Sequence, residues 1–431
     1  DWSSDVCSSD LCHRPDPATP IEETVWAMHD MVARGKALYW GTSEWTAAEI
    51  MAAKDAANPS DLLNVERELC RRSLAHFARR AWHVLEPAAE LRWGWALDAI
   101  CLHLEAVTDG RIKRLLMNVP PGSMKSLLTG VIWPAWEWGP RNMPHMRYVC
   151  ASHSLDLAIR DSLRMRRLVT SEWYQMHWGD RVQITGDQNA KAKFETTATG
   201  FRQACAFTGI TGYRGDRVIV DDPHSVDDAN SDAKRKTATD LFKEAVTSRL
   251  NNPDRSAIVV VMQRLHEADV SGVILDNDMG YDHIMLPMRY DPNRQCVTRL
   301  GYADPRDIDG ELLFPERFPA EVVARDKKVM GPYATAGQFQ QEPTPRGGGV
   351  IKREWWRLYE ASVFPPMEYV VASLDTAYTT KTENDFSALT VWGVFSGDVV
   401  AQATKVEGGQ IERSYGQQHP RVMLMQAWAE R

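Results

Sequence analysis

Two pairs of adjacent residues in this 431-residue chain carry the types needed to act on a phosphoanhydride: Lys125-Ser126 and, about a hundred positions later, Asp221-Asp222. The first pair closes the stretch LLMNVPPGSMKS, residues 115–126. An apolar strand there runs into a Pro-Pro-Gly turn and then the start of a helix. Backbone N–H groups at a helix start cradle phosphate oxygens, the lysine supplies positive charge, and the hydroxyl completes a Mg²⁺ shell. Pro121, Gly122, Ser123, Met124, Lys125 and Ser126 are therefore the candidate ATP-binding residues. The fit to GxxxxGK[ST] is incomplete: its two glycines fall on Val119 and Met124, and only Gly122 is present. Taken alone, the stretch also reads as a Pro-Gly turn before a surface lysine.

The second pair ends RVIVDDPH, residues 217–224. Three β-branched residues precede two carboxylates at a strand's C-terminal end, where α/β proteins place ligands. Asp221, with Ser126, is the candidate Mg²⁺ ligand, and Asp222 the group that orients or deprotonates an attacking water. A further buried strand, residues 256–262, ends in Gln263, which is placed to sense a terminal phosphate and equally fits as a polar cap of a turn. Arg160 and Arg164 are candidates for the arginine that stabilises charge on a transferred phosphoryl group. Together with Arg166 and Arg167 they form either a basic face for nucleic acid or an ordinary solvated helix face.

The elements that must position these groups read as an α/β fold with a parallel sheet flanked by helices. Residues 61–85 and 93–107 have helical periodicity, the first with a basic exterior. Trp93 and Trp95 either border a nucleotide base or belong to the core. A strand at 147–151 and a helix at 155–169 read as a second parallel unit beside the first. Short strands near 182–184, 192–195 and 201–206 read as an antiparallel excursion, and a helix near 232–250 follows the aspartate pair. The spacing predicts a nucleotide-binding domain over 60–290 and a Pro- and Gly-rich linker region over 291–365. A second domain follows over 366–431. In it a strand from 369 runs into Asp375, and an antiparallel neighbour over 386–395 follows Asp385.

Composition sets wide bounds. With 44% hydrophobic and 25% charged residues, the chain is long enough for two or three cores. Its longest apolar runs are strand-length, which argues against a membrane partner. Seven cysteines without a CxxC pair imply a reducing compartment. A formal charge of −8 leaves any DNA contact to local basic clusters.

Two resemblances follow from these motifs. LLMNVPPGSMKSLL, Trp133-Pro134-Ala135-Trp136, RGDRVIVDDPHSVDDANSD and VVVMQRLHEADVSG, in this order, resemble the large terminase subunits of tailed bacteriophages. The resemblance implies a P-loop ATPase joined to a ribonuclease H-like nuclease, coupling Mg-ATP hydrolysis to translocation of double-stranded DNA. It implies a portal protein and a small terminase subunit as partners, a homo-oligomeric ring, and the host cytoplasm. Asp375 matches the nuclease's first metal ligand and Asp385 is an accessory ligand for Mg²⁺ or Mn²⁺, with later acidic ligands expected beyond Arg431. Separately, residues 12–53 carry TPIEETV and GKALYWGTSEW and resemble aldo/keto reductases of the potassium-channel β-subunit type. In that resemblance His13 matches the catalytic histidine and Ser43 a cofactor contact, but the family's catalytic Tyr, Lys and Asp have no counterpart. Residues 1–11 lack a hydrophobic period and resemble a translated sequencing adapter. A chimeric reading frame joined near 53–60 is the expectation. Another DNA-dependent P-loop enzyme, such as a helicase, and an inactive chimeric fragment remain alternatives.

Overall fold

The computed structural model describes residues 7–12, 21–33, 37–42, 45–50, 59–344, 364–375, 387–397, 400–405, 411–415 and 419–430. The chain divides into two compact units, Asp1–Val350 and Ile351–Arg431.

In the first unit, β1 (Cys7–Cys12) pairs in parallel with β2 (Ala37–Thr42) across the helix Ile21–Ala33. No hydrophobic period within residues 1–11 announces this strand, because parallel pairing runs through the backbone and needs no side-chain period. The remaining strands build one eight-stranded sheet. They are β3 (Arg114–Asn118), β4 (Arg147–Ser152), β5 (Ile184–Asn189), β6 (Lys193–Thr196), β7 (Phe201–Ala206), β8 (Arg217–Asp221), β9 (Ala257–Met262) and β10 (Asp282–Met285). Their order is β10-β3-β9-β8-β4-β7-β6-β5. The first six are parallel, and β6 and β5 continue antiparallel.

This order corrects two expectations. The unit containing β4 does not lie beside β3; β9 and β8 intervene. Likewise β7 is part of the parallel sheet, paired with β4, and only β5 and β6 form the antiparallel excursion. All six residues of β9 are buried, as a central parallel strand covered on both faces requires. Alternation then sends neighbours to opposite cores. Leu115, Met117, Val259 and Val261 enter one cluster, and Leu116, Ile258 and Val260 the other.

The helical run expected over 61–85 is two helices, Pro59–Arg72 and Leu74–Leu85. The break falls at Ser73, an extended residue whose hydroxyl accepts from the His76 N–H, so a cap wins over continuation. Trp95–Thr108 then leads into β3. The turn-rich stretch expected to be a linker packs on the same core: Cys296, Leu313 and Phe314 are buried. Within it the Arg306 guanidinium binds Asp304 and lies over the rings of Trp95 and Tyr290, 5.2 and 5.4 Å from their centroids. The helix Ala320–Ala334 follows, kinked at Gly331 (φ 73°) ahead of Pro332.

In the second unit, β11 (Tyr369–Asp375), β12 (Ser387–Gly397) and β15 (His419–Glu430) form an antiparallel sheet in that order. β13 (Val400–Lys405) pairs antiparallel with β14 (Ile411–Tyr415).

At the first unit's sheet end away from the aspartate pair, Arg217 opens β8 and binds Glu137 of the helix Trp133–Trp138, Nη2 to Oε1 at 2.8 Å, with Tyr148 donating to the same carboxylate. Both charges are buried, at 4% and 0% side-chain exposure. Removing one partner strands the other charge. Glu137→Ala is therefore expected to lower unfolding free energy by about 3–5 kcal/mol. In denaturant titrations the double change Glu137→Leu with Arg217→Met should cost less than Glu137→Ala alone.

Candidate functional site

The register brings Asn118, Met262, Asp221 and Ser152 to one rim of the sheet. There the sequence-distant pairs meet. Lys125 Nζ donates to Asp222 Oδ1 at 3.0 Å, and Ser126 Oγ donates to Asp221 Oδ1 at 3.0 Å. The Gln263 backbone N–H, at the mouth of β9, donates to Asp222 Oδ1 at 3.1 Å. Gln263 Oε1 is buried and has no hydrogen-bond partner among the described residues. Lys125 is almost fully buried, which concentrates its charge within the loop.

The loop before Lys125 is held by its own backbone geometry. The Ser123 hydroxyl donates to the Pro120 carbonyl at 2.6 Å. Gly122 has φ 79°, and a β-carbon there would meet the Phe318 ring at 2.8 Å, so this position accepts only glycine. Met124 has φ 57°. It occupies the place where GxxxxGK[ST] carries glycine, and it adopts the left-handed conformation that explains the glycine in that pattern. Across the same rim Asp222 is also left-handed, at φ 42°.

The Asp221 carboxyl is pushed up to about 7, first by burial and then by the neighbouring Asp222 charge, against the pull of Lys125 and the Ser126 hydrogen bond. A hydroxyl and a carboxylate 3.0 Å apart are hard oxygen donors that fit Mg²⁺, whose charge would hold Asp221 ionised. Among the described residues no group of three or more His, Cys, Asp and Glu side chains is placed to hold a metal unaided. An ion here would draw its other ligands from phosphate and water.

Other expected residues lie elsewhere. Arg160 pairs with Asp161 at 2.9 Å and Arg164 with Glu86 at 3.1 Å. Trp95 lies against Arg306; Trp93 faces Arg79 at 4.5 Å and donates to Asp98, so both rings are engaged within the fold. Asp375 ends β11 in the second unit. Asp385, His13 and Ser43 lie outside the described residues. Two contributors escaped the sequence reading. Phe318 gives no sequence signal for its place against Gly122. His153 does: it follows β4 directly, at the rim where ligands collect, and both its backbone and its ring bond the Asp222 carbonyl.

With the geometry in view, the relatives fall into two groups. The profile of the aldo/keto reductase family matches residues 10–76. The chain is 58% identical over 52 residues to the "Probable voltage-gated potassium channel subunit beta" of Arabidopsis thaliana, covering 12% of this chain and 16% of that protein. The corresponding protein of Oryza sativa subsp. japonica is 56% identical over 52 residues, with the same coverage. The chain thus spans about a sixth of the length of these curated relatives. Among solved structures, the large terminase of bacteriophage HK97 is similar at a TM-score of 0.41 and 16% identity, covering 82% of this chain and 67% of that one. A mutant ATPase domain of the Thermus phage P74-26 large terminase gives a TM-score of 0.34 and 14% identity, covering 56% and 93%.

The Met124 geometry sets a test of the loop. Met124→Gly is expected to keep Lys125-dependent binding of a fluorescent ATP analogue within roughly threefold, since glycine adopts this φ freely. Met124→Ile should weaken it by roughly tenfold or more, because a β-branched residue resists the left-handed region.

Proposed function

We propose that this chain hydrolyses Mg-ATP at the rim formed by Lys125, Ser126, Asp221 and Asp222, as the ATPase of a phage large-terminase DNA-packaging motor. The observation that carries the hydrolase reading is the meeting of the lysine-serine and aspartate pairs, about 95 positions apart in the chain, through two 3.0 Å contacts. The terminase assignment is supported by the order of the four linked motifs quoted above. It brings with it double-stranded DNA, a portal protein and a small terminase subunit as partners, a homo-oligomeric ring, and the host cytoplasm.

In this reading Lys125 exchanges Asp222 for the β- and γ-phosphates. That exchange frees the Asp222 carboxylate to accept a proton from, or orient, the attacking water. Ser126 and Asp221 hold Mg²⁺, which when bound neutralises charge on the phosphate oxygens. Gln263, whose backbone N–H already bonds Asp222, is the residue assigned to sense the terminal phosphate, through its side-chain NH₂. For Arg160 or Arg164 to stabilise the transferred group, each must first leave its carboxylate. Asp375 and Asp385 are assigned to a divalent-metal nuclease centre in the second domain. No reductase chemistry is assigned to residues 10–76: the family's catalytic Tyr, Lys and Asp have no counterpart here, and so short a stretch cannot close an eight-stranded barrel.

The test is steady-state hydrolysis of Mg-ATP by the chain and its variants. Lys125→Ala and Asp222→Asn should each lower kcat by roughly 10²-fold or more. Asp221→Asn should chiefly raise the Mg²⁺ concentration needed. Equal turnover by the unaltered chain and Lys125→Ala would sink the site. Duplex translocation without strand separation distinguishes the packaging motor from a helicase.

A further inference from the structure

We infer that His153 is a positioning residue for Asp222, clamping the peptide that carries the candidate water-orienting carboxylate; the inference rests on the hydrolase reading above. Asp222 sits just past the end of β8 with φ 42°, a backbone region that non-glycine residues adopt only when their surroundings hold them there. Its N–H is fixed to the Val261 carbonyl at 2.9 Å, an anchor on β9. Its carbonyl is fixed from the other side by His153, its one partner among the described residues. The His153 backbone N–H reaches it at 3.1 Å and the ring Nδ1 at 2.9 Å.

The chemistry of this contact determines the tautomer. A carbonyl oxygen only accepts, so Nδ1 must carry its hydrogen, and in the neutral ring Nε2 keeps the lone pair. The ring hydrogen bond survives protonation, since Nδ1 is a donor in both forms. His153 lies between the last residue of β4, Ser152, and Ser154, which caps the helix Leu155–Val169. Its own backbone is thus fixed, and the clamp couples two neighbouring strand mouths. Asp222 is then gripped at all three of its polar groups: N–H by β9, C=O by His153, and carboxylate by Lys125 and the Gln263 N–H. When Lys125 turns to phosphate, the side-chain grip is reduced to the Gln263 N–H, and the peptide contacts carry more of the aim of the carboxylate. Loss of aim should therefore appear in turnover more than in nucleotide affinity.

Three forms of the full chain test this: unaltered, His153→Asn and His153→Ala. Asparagine places an amide N–H close to the position of Nδ1; alanine leaves only the backbone donor. His153→Ala is expected to lose roughly tenfold or more in kcat for Mg-ATP, with KM changed by less than about threefold, while His153→Asn stays within about threefold of the unaltered chain. Hydrogen exchange supplies a readout independent of turnover. The amides of Asp222 and Gln263 should exchange faster in His153→Ala and at the original rate in His153→Asn. Turnover of His153→Ala equal to that of the unaltered chain, or unchanged exchange at both amides, overturns the inference. If the unaltered chain hydrolyses no more ATP than Lys125→Ala, the hydrolase reading fails. Faster exchange in His153→Ala would in that case leave the clamp as a feature of the fold and remove its catalytic role.

Discussion

The site depends on a spacing: β9 lies between β3 and β8, so the loop leaving β3 and the aspartates leaving β8 start two strand intervals apart, roughly 10 Å. With one strand between them, only side chains cross the gap, Lys125 to Asp222 and Ser126 to Asp221. The mouth of β9 then forms the floor, which is why the Gln263 N–H reaches Asp222 from below. Both loops must turn sharply to leave the sheet. Left-handed residues therefore occur on each side, Gly122 and Met124 on one and Asp222 on the other.

The floor is stiffened by a buried polar network that an apolar core could not supply. Asn118, the last residue of β3, donates to the Met262 carbonyl at 3.2 Å and the Ser271 hydroxyl at 2.8 Å. Its Oδ1 accepts from His283 Nε2 at 2.9 Å. Burial pulls His283 down to about 4, so it stays neutral near pH 7 and keeps one ring hydrogen for this bond. The network thus joins the C-terminal ends of β3 and β9 to His283 within β10, with both polar atoms of the Asn118 side chain engaged. At the other end of the sheet the Glu137–Arg217 pair ties β8 to the helical run that begins at Lys125. The two sides of the site are thus tied to each other at both ends of the sheet.

How much of this was legible follows from which interactions are local. The RVIVDD and AIVVVM runs declared themselves as buried parallel strands because burial on both faces needs continuous apolar residues, and the carboxylates at the end of one of them marked the ligand edge. Strand order was not legible. Nearness in sequence suggested β4 beside β3, but order is set by crossover connections that leave no periodic trace. Ser73 was visible as a serine, yet its choice between continuing and capping a helix depends on packing on both sides. The stretch 291–319 reads as linker because its fold is held by Arg306 between two aromatic rings and Asp304, contacts made across more than two hundred residues to Trp95. Met124 looked like a defect in the pattern. The defect is one of residue type alone, since the backbone there does what glycine would do.

The arginines show why composition says so little about partners. Of the four on the helix Leu155–Val169 singled out by sequence, Arg160 and Arg164 hold carboxylates and Arg166 holds the Asn189 side chain and carbonyl. A guanidinium already paired is not lost to other roles; what matters is the cost of leaving. Asp161 is 8% exposed, so withdrawing Arg160 would strand a nearly buried carboxylate, a penalty well beyond that of a surface pair. Arg164 and Glu86 are each about one-third exposed, and such a pair is worth on the order of 1 kcal/mol or less. Water takes over the Glu86 carboxylate once Arg164 leaves. Desolvation therefore makes Arg164 the cheaper of the two to withdraw from its carboxylate and Arg160 the costlier.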